Sequence, residues 1–187
     1  MSSFVQADGN LLVWIQHTFV NDAFTPAVKF ITMFGEAGIF WIALCVLLLC
    51  FRRTRKLGLL AGLSLLLCFI CCNLIVKPIV DRTRPWVIFE EVVRLVPDPG
   101  DPSFPSGHSA NSMATAFAIL LNSARCGVKR YWGVILVILA VLIALSRLYL
   151  GVHFPSDVLV GILFGILSAV IVYYASKYYE SSKMKKL

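Results

Sequence analysis

The stretch Leu57–Val76, LGLLAGLSLLLCFICCNLIV, decides the fold class, because its twenty consecutive residues include no charged side chain. About 20 apolar residues in a helix are enough to span the hydrocarbon core of a bilayer. Four further apolar runs have a similar character, and they cover residues 38–51, 110–121, 132–145 and 158–174. The sequence therefore predicts an all-α, polytopic membrane helix bundle.

The bulk composition supports the membrane interpretation. Of the 187 residues, 59% are hydrophobic and only 14% are charged, whereas soluble domains carry about 25% charged residues. A soluble helical bundle would need polar outer faces on its helices, and these runs have almost none. A chain of this length is about one domain, so we predict a single membrane-embedded domain over residues 1–187.

The N-terminal region 10–34 is apolar but interrupted by polar side chains, and it is the marginal sixth membrane segment beside the five clear ones. It is compatible with a span broken near Asn21–Asp22, or with an interfacial helix followed by a short helix. We favour a first span mainly over 22–34, with 10–20 lying on the membrane surface.

The net charge of +7 is concentrated in a few places. Eleven of the 17 basic residues lie in two short connections and the C-terminal tail: Arg52, Arg53, Arg55, Lys56, Arg125, Lys129, Arg130, Lys177, Lys183, Lys185 and Lys186. Alternating topology puts all of these on one side, and the positive-inside rule makes that side cytoplasmic. We predict a multi-pass protein of the cell (inner or plasma) membrane with a cytoplasmic C-terminus and no nucleic-acid partner.

The six cysteines predict neither a disulfide nor a metal site. Five lie in apolar segments, one lies in a cytoplasmic connection, and none lies in the long outer loop. The closest group, Cys68, Cys71 and Cys72, matches no zinc-site spacing with histidine partners, so we interpret these residues as small helix-packing side chains.

Two loops at the opposite membrane face, 77–107 and 146–157, hold the polar clusters. The first cluster reads Lys77-Pro78-Ile79-Val80-Asp81-Arg82-Thr83-Arg84-Pro85. Lys77 and Arg84 are about two helical turns apart, so they would share a helix face unless Pro78 interrupts the register. A snorkelling lysine followed by loop arginines is the alternative interpretation.

The second cluster, Phe104–Ala110 with the sequence FPSGHSA, precedes an apolar helix. Ser106 is a typical helix N-cap, Gly107 permits a ligand to approach the backbone closely, and free N–H groups at a helix start bind anions. His108 would then lie beside the anion. A capped helix start with an interfacial histidine is the alternative. Ser106 as a nucleophile is disfavoured, because the Gly-x-Ser-x-Gly elbow is missing.

The third cluster, Ser146–Asp157 with the sequence SRLYLGVHFPSD, places Arg147 and Asp157 at the ends of apolar runs. Ionisable residues in such positions are costly and usually functional. His153 precedes Asp157 by four residues, so the carboxylate would fix one ring nitrogen and leave the other free to attack. An ion pair at a helix end is the alternative interpretation.

Together the clusters bring two histidines, three cations and one carboxylate to one membrane face. Arginine and lysine suit a phosphate group. One histidine would attack phosphorus while the other protonates the leaving oxygen. This chemistry requires no metal.

In order and spacing, the clusters resemble the three-part signature of the type 2 phosphatidic acid phosphatase family, also called the lipid phosphate phosphatases. That signature reads Lys-x6-Arg-Pro, then Pro-Ser-Gly-His, then Ser-Arg-x5-His-x3-Asp, and every position has its match within 77–157. The resemblance implies that His153 is the nucleophile that forms a phosphohistidine, that Asp157 orients it, and that His108 is the acid and later the base. The implied phosphate-binding residues are Lys77, Arg84, Ser106, Gly107 and Arg147, with no cofactor and no metal.

We therefore expect an integral-membrane lipid phosphatase that acts at the outer face on a lipid phosphate from the bilayer. Undecaprenyl diphosphate is the preferred substrate, with phosphatidylglycerophosphate, phosphatidic acid and phosphotransfer to a second lipid as alternatives. A non-enzymatic transporter or scaffold that binds lipid phosphate is a further alternative. The acidic loop residues Glu90, Glu91, Asp98 and Asp101 are best interpreted as solvated, with substrate steering or cation binding as alternatives. The sequence predicts no oligomeric state.

Overall fold

The computed structural model describes residues 3–184, so Lys185 and Lys186 of the predicted basic tail lie outside the described residues. Within that range the chain forms helices and no strand, which confirms the all-α prediction. The α-helices are α1 (Ser3–Phe19), α2 (Thr25–Met33), α3 (Ile39–Cys50), α4 (Arg55–Phe69), α5 (Lys77–Val80), α6 (Pro85–Ile88), α7 (Gly107–Asn122), α8 (Arg130–Tyr149) and α9 (Pro155–Met184). Short 3-10 turns cover Glu36–Gly38 and Ala124–Cys126, and a π-helical segment covers Ile70–Val76. All six cysteines are free.

The central helix of the bundle is α7, which packs against α4, α8 and α9. Its 16 residues are roughly 24 Å long at 1.5 Å per residue, less than the 30 Å or so of a bilayer core. The other helices surround it, and most of its side chains are buried. Since protein rather than lipid covers α7, it tolerates the serines and threonine that a lipid-facing helix would exclude.

Four segments are long and apolar enough to cross a membrane: Thr25–Cys50, Arg55–Ile88, Arg130–Tyr149 and Pro155–Met184. Large apolar side chains such as Ile42, Leu59, Leu145 and Leu163 are more than half exposed on them, between 52% and 55%. Apolar exposure of this extent fits contact with lipid and not with water. The protein is a multi-span membrane protein, with α7 as a fifth, protein-covered helix inside the bundle.

The predicted separate span over 22–34 is wrong. Helix α2 has nine residues, roughly 14 Å, which is too short to cross a bilayer alone. The chain continues into α3 through a bend at which Ala37 and Gly38 have φ angles of 47° and 68°. One bent candidate span, Thr25–Cys50, therefore replaces two of the predicted six segments.

The two ends of the bundle differ in character. At one end, which we call the basic end, Arg125 and Lys56 both pair with Glu180 near the end of α9, at 3.0 and 2.7 Å. Arg53 donates to the Gly127 carbonyl at 3.4 Å. The two basic connections therefore lie together, as predicted. The three polar clusters lie at the other end, which we call the motif end.

Small residues allow a close contact between α7 and α9. A Cβ atom on Gly165 would come within 2.6 Å of the Ala110 carbonyl oxygen, and one on Gly161 within 2.6 Å of the Ser106 carbonyl oxygen. Backbone atoms cannot move aside as the end of a flexible side chain can. The two glycines therefore allow α9 to lie against the helix that begins at the Pro-Ser-Gly-His motif.

We expect Gly165→Ala to destabilise the bundle by roughly 1–3 kcal/mol, because the added methyl group overpacks a helix interface. The measurement is the thermal unfolding of the purified protein in detergent. Gly62→Ala is the matched control, since its Cβ would meet only the Cys45 Cβ atom at an ordinary 3.9 Å. Equal melting temperatures for the two variants would contradict the assigned packing.

Candidate active site

A cavity of about 450 Å³ opens at the motif end of the bundle. Six of the eight predicted site residues line it: Lys77, Arg84, Gly107, His108, Arg147 and His153. The side chains of Asn73, Asn111, Glu36 and Asp101 also line it. Residues from three separate parts of the sequence, including both histidines of the predicted site, thus surround one volume. The other two predicted residues, Ser106 and Asp157, are fully buried.

Lys77 and Arg84 meet through the fold of the chain and not through helix register. Helix α5 ends at Val80, and Asp81 adopts a left-handed conformation with φ 43°. Arg84 is extended, with ψ 153°, immediately before the proline that opens α6. The helix face that the spacing allowed them to share is therefore not formed, because the helix stops halfway between the two cations. Both side chains are nonetheless brought to the same acceptor, Asp101.

Asp101 was not among the predicted site residues, although it contacts two of them. Its Oδ2 lies 2.5 Å from Lys77 Nζ, its Oδ1 accepts from Arg84 Nη2, and its backbone oxygen accepts from Arg84 Nε at 2.8 Å. Partial burial raises the pKa of Asp101, but hydrogen bonds and charge from Lys77 and Arg84 outweigh it and hold the pKa below its ordinary value. Asp101 is therefore a charged carboxylate. The sequence marks it only as one of four acidic loop residues interpreted as solvated, and its ion pairs with Lys77 and Arg84 show that this interpretation is wrong for Asp101.

The start of α7 is built as the sequence predicts for a capped helix. The Ser106 hydroxyl oxygen accepts from the Ser109 backbone N–H at 3.4 Å and from the Ser109 hydroxyl at 2.9 Å. A Cβ atom on Gly107 would come within 2.8 Å of Asn73 Nδ2, so a side chain at this position would collide with the cavity wall. His108 Nε2 lies 3.4 Å from Glu36 Oε2 at the cavity rim. Because the Ser106 hydroxyl serves the cap, its contact with phosphate stays a prediction.

His153 is 2% exposed, and its ring lies between the Asp157 carboxylate and the Arg84 guanidinium. Its Nδ1 is 3.6 Å from Asp157 Oδ2, and its Nε2 is 3.4 Å from Arg84 Nη1. Burial lowers the pKa of His153 to about 3, with smaller contributions from the Arg84 and Arg147 charges and an opposing one from Asp157. The ring is therefore neutral near pH 7. A proton on Nδ1, facing the carboxylate, leaves the Nε2 lone pair towards the cavity.

The Asp157 carboxylate is completely buried and is held by residues that sequence reasoning missed. Arg82 Nη1 donates to Oδ1 at 2.6 Å, and Oδ2 accepts from the Ser103 hydroxyl at 2.5 Å and the Phe154 backbone N–H at 2.9 Å. Arg82 Nη2 also pairs with Asp8 of α1 at 2.8 Å. Arg82 was visible in the first cluster as a charge inside a loop, whereas nothing in the sequence linked Asp8 to the site.

Arg147 is the third cation and is 3% exposed. Its Nη1 donates to the Thr32 hydroxyl of α2 at 2.6 Å. Its Nε has no hydrogen-bond partner among residues 3–184. Helix α2, which is too short to span a bilayer, thus supports a side chain of the cavity.

A second, mainly apolar cavity of about 350 Å³ adjoins the first. The two share Ala37, Gly38, Phe69 and Asn111 as lining residues. From there the second cavity extends between α3 and α4 along Ile42, Val46, Leu65 and Leu66. A polar, cationic chamber is therefore joined to an apolar groove between two helices.

The protein is a multi-span helical bundle in which two histidines and three cations surround one cavity. This arrangement is typical of membrane proteins that bind a phosphate group. The family model of the PAP2 superfamily matches residues 56–180, and the chain belongs to this superfamily.

Several proteins of known name are similar in sequence to most of this chain. An undecaprenyl-diphosphatase of Sulfolobus acidocaldarius is 36% identical over 136 residues, which is 73% of this chain and 63% of that protein. A decaprenylphosphoryl-5-phosphoribose phosphatase of Mycobacterium tuberculosis is 37% identical over 141 residues, 74% of this chain and 73% of that protein. The crystal structure of a transmembrane PAP2 type phosphatidylglycerolphosphate phosphatase from Bacillus subtilis has a TM-score of 0.76 at 26% identity, covering 95% of this chain and 88% of that one.

We expect the His153 imidazole to stay neutral when the pH falls from about 7.5 to 5, because its pKa is far below the ordinary value of about 6.5. The measurement is NMR of the protein with 15N-labelled histidine in a buffer without phosphate, and His153→Asn identifies the signal by removing it. The same labelled protein, unfolded in denaturant, is the control and should titrate near the ordinary value. A midpoint near 6.5 in the folded protein would contradict the burial assigned to this ring.

Proposed function

We propose that the protein hydrolyses a lipid phosphate or diphosphate through a phosphohistidine intermediate on His153. The observation that carries this proposal is the His153 ring itself, buried and neutral, with Nε2 beside Arg84 in a cavity that His108 also lines. A neutral imidazole is a nucleophile, whereas a protonated one is not. We further propose that residues 1–187 act as one domain.

In the first step, His153 Nε2 attacks phosphorus and the bond to the leaving oxygen breaks. His108 donates a proton to that oxygen. Lys77, Arg84 and Arg147, together with the backbone N–H groups at the start of α7, stabilise the charge on the equatorial oxygens. Asp157 stabilises the positive charge that develops on the His153 ring.

In the second step, His108 removes a proton from a water molecule that attacks the phosphohistidine. The bond between phosphorus and His153 Nε2 breaks, inorganic phosphate leaves, and the neutral ring is restored. The protons balance, because the one that His108 gives to the leaving group is recovered from water. No group beyond the residues of the cavity and water is required.

The apolar cavity between α3 and α4 is the proposed site of the lipid tail nearest the phosphate. It joins the phosphate chamber at Phe69 and Asn111 and is lined by apolar side chains further along. A tail in this groove stays in apolar surroundings, so substrate need not leave the bilayer to react.

Undecaprenyl diphosphate is the proposed substrate, because two relatives above 35% identity are named as phosphatases of polyprenyl lipids. The match spans only 63% of the undecaprenyl-diphosphatase, so the substrate rests on similarity to part of that protein. Phosphatidylglycerophosphate is the second candidate, because the phosphatidylglycerolphosphate phosphatase structure covers 95% of this chain. The remaining candidates are phosphatidic acid as the substrate and transfer of the phosphate to a second lipid as the reaction.

We propose that the motif end lies at the outer face of the cell membrane and that the C-terminus is cytoplasmic. The support is the basic end, where the connections before α4 and before α8 lie beside the last turns of α9. Under the positive-inside rule this end faces the cytoplasm, and the catalytic cavity lies at the opposite end.

The function is tested by incubating the pure protein in detergent with single lipids and measuring released inorganic phosphate. The panel holds undecaprenyl diphosphate, phosphatidylglycerophosphate and phosphatidic acid, each with and without EDTA. We expect release to persist in EDTA and to fall roughly a thousandfold or more in His153→Ala, which lacks the nucleophile. Phosphate release by His153→Ala at the normal rate, or a strict metal requirement, would contradict the mechanism.

His108→Asn should slow both steps, and with a diphosphate substrate it should make the intermediate accumulate. The leaving group is then a lipid phosphate, which departs without a donated proton more readily than an alkoxide does, so the water step suffers more. The measurement is the acid-labile, base-stable 32P label retained by the protein from substrate labelled on the terminal phosphate. His108→Asn combined with His153→Ala is the control and should retain no label. Normal turnover by His108→Asn would remove its assigned role.

A further inference from the structure

The carboxylate of Asp101 occupies the donors that the proposed mechanism assigns to substrate phosphate. Lys77 Nζ and Arg84 Nη2 both contact it, while Arg84 Nη1 donates to the Val152 carbonyl at 2.7 Å. Lys77 and Arg84 are 7% and 6% exposed at their side chains, whereas Asp101 is 42% exposed. Two buried cations therefore share one acceptor, the Asp101 carboxylate, which is itself partly exposed.

Asp101 is placed so that its side chain can leave without unfolding the loop. Arg84 Nε holds the backbone oxygen of Asp101 at 2.8 Å, and that contact does not involve the carboxylate. A rotation of the side chain towards water would free Lys77 Nζ and Arg84 Nη2 while the loop backbone keeps its attachment. The carboxylate and a phosphate would then compete for the same two donors.

We propose that Asp101 is an internal counter-ion that the substrate displaces, and that it sets a minimum negative charge for entry into the phosphate site. This inference rests on the proposed function and refines it. A phosphate monoester carries nearly two negative charges near pH 7, and a diphosphate carries more. A phosphodiester carries one, the same as the carboxylate that it would have to replace.

The charge difference matters because the cavity opens next to a groove of lipid-tail character. Ordinary membrane phospholipids are phosphodiesters and surround such a protein in large excess over any lipid monoester or diphosphate. Coulomb attraction to Lys77 and Arg84 grows with the charge of the incoming group. Asp101 therefore excludes the singly charged lipids, which would otherwise occupy the site as unreactive competitors.

The test compares full-length wild-type protein with Asp101→Asn, using inorganic phosphate, orthovanadate and phosphatidylglycerol as probes. In Asp101→Asn we expect the inhibition constants of phosphate and vanadate to fall about tenfold, since a neutral amide competes less well for two buried cations. Phosphatidylglycerol added to the detergent micelles should inhibit the variant and leave the wild type almost unaffected.

Asp98→Asn is the matched control, because it removes the same charge from the same loop. Asp98 is 57% exposed at its side chain and forms its ion pair with Arg94 at 3.0 Å, not with Lys77 or Arg84. It should keep wild-type inhibition constants. Asp101→Glu retains the charge and should restore resistance to phosphatidylglycerol, at least in part.

Weaker binding of phosphate by Asp101→Asn would overturn the proposal, because Asp101 would then hold the two cations in place for the substrate. Unchanged inhibition by all three probes would overturn it as well. The shift in melting temperature with added phosphate measures the same binding without turnover, and it also shows whether each variant is folded. If no lipid releases phosphate, the proposed function fails, whereas this binding comparison still decides the role of Asp101.

Discussion

The buried carboxylate of Asp157 is the constraint on which the motif end depends. An unpaired charge at full burial is strongly unfavourable, and removing one partner of a buried pair costs about 3–5 kcal/mol. The chain satisfies Asp157 from several directions, with Arg82 and Ser103 from one loop and the Phe154 N–H from the other. Through Arg82 the same network reaches Asp8, so α1 is tied to Asp157, the residue proposed to orient the nucleophile.

Charged groups around the cavity are paired with opposite charges. Arg82 pairs with the Asp157 carboxylate beside His153, while the single carboxylate of Asp101 pairs with both Lys77 and Arg84 and offsets only one of their two charges. The His153 ring stays neutral because it is buried. Arg84 is also held by the Val152 carbonyl and the backbone oxygen of Asp101, so its guanidinium needs little rearrangement when charge develops on a phosphate, which is the condition for electrostatic catalysis.

The core of the bundle positions the site directly. Gly161 lets α9 approach the backbone of Ser106, and the Ser106 N–H donates to the Asp157 carbonyl at 3.0 Å. The second and third clusters are therefore joined by the same contact that packs α7 against α9. The packing of α7 against α9 therefore also determines the geometry of the cavity. A displaced α9 would move His153 and Asp157 away from the start of α7.

The sequence by itself determined the helical membrane class, the opposite placement of basic and polar connections, and six of the residues that line the cavity, because hydropathy and motif spacing are local properties of the chain. The tertiary structure alone decided that α2 shares one bent span with α3, and that Lys77 and Arg84 meet at Asp101 instead of along a helix. It also decided that Asp8, which is 149 residues before Asp157 (157 − 8), supports the same network. Partners of buried charges are chosen by proximity in space, and no pattern of neighbours in the sequence carries that information.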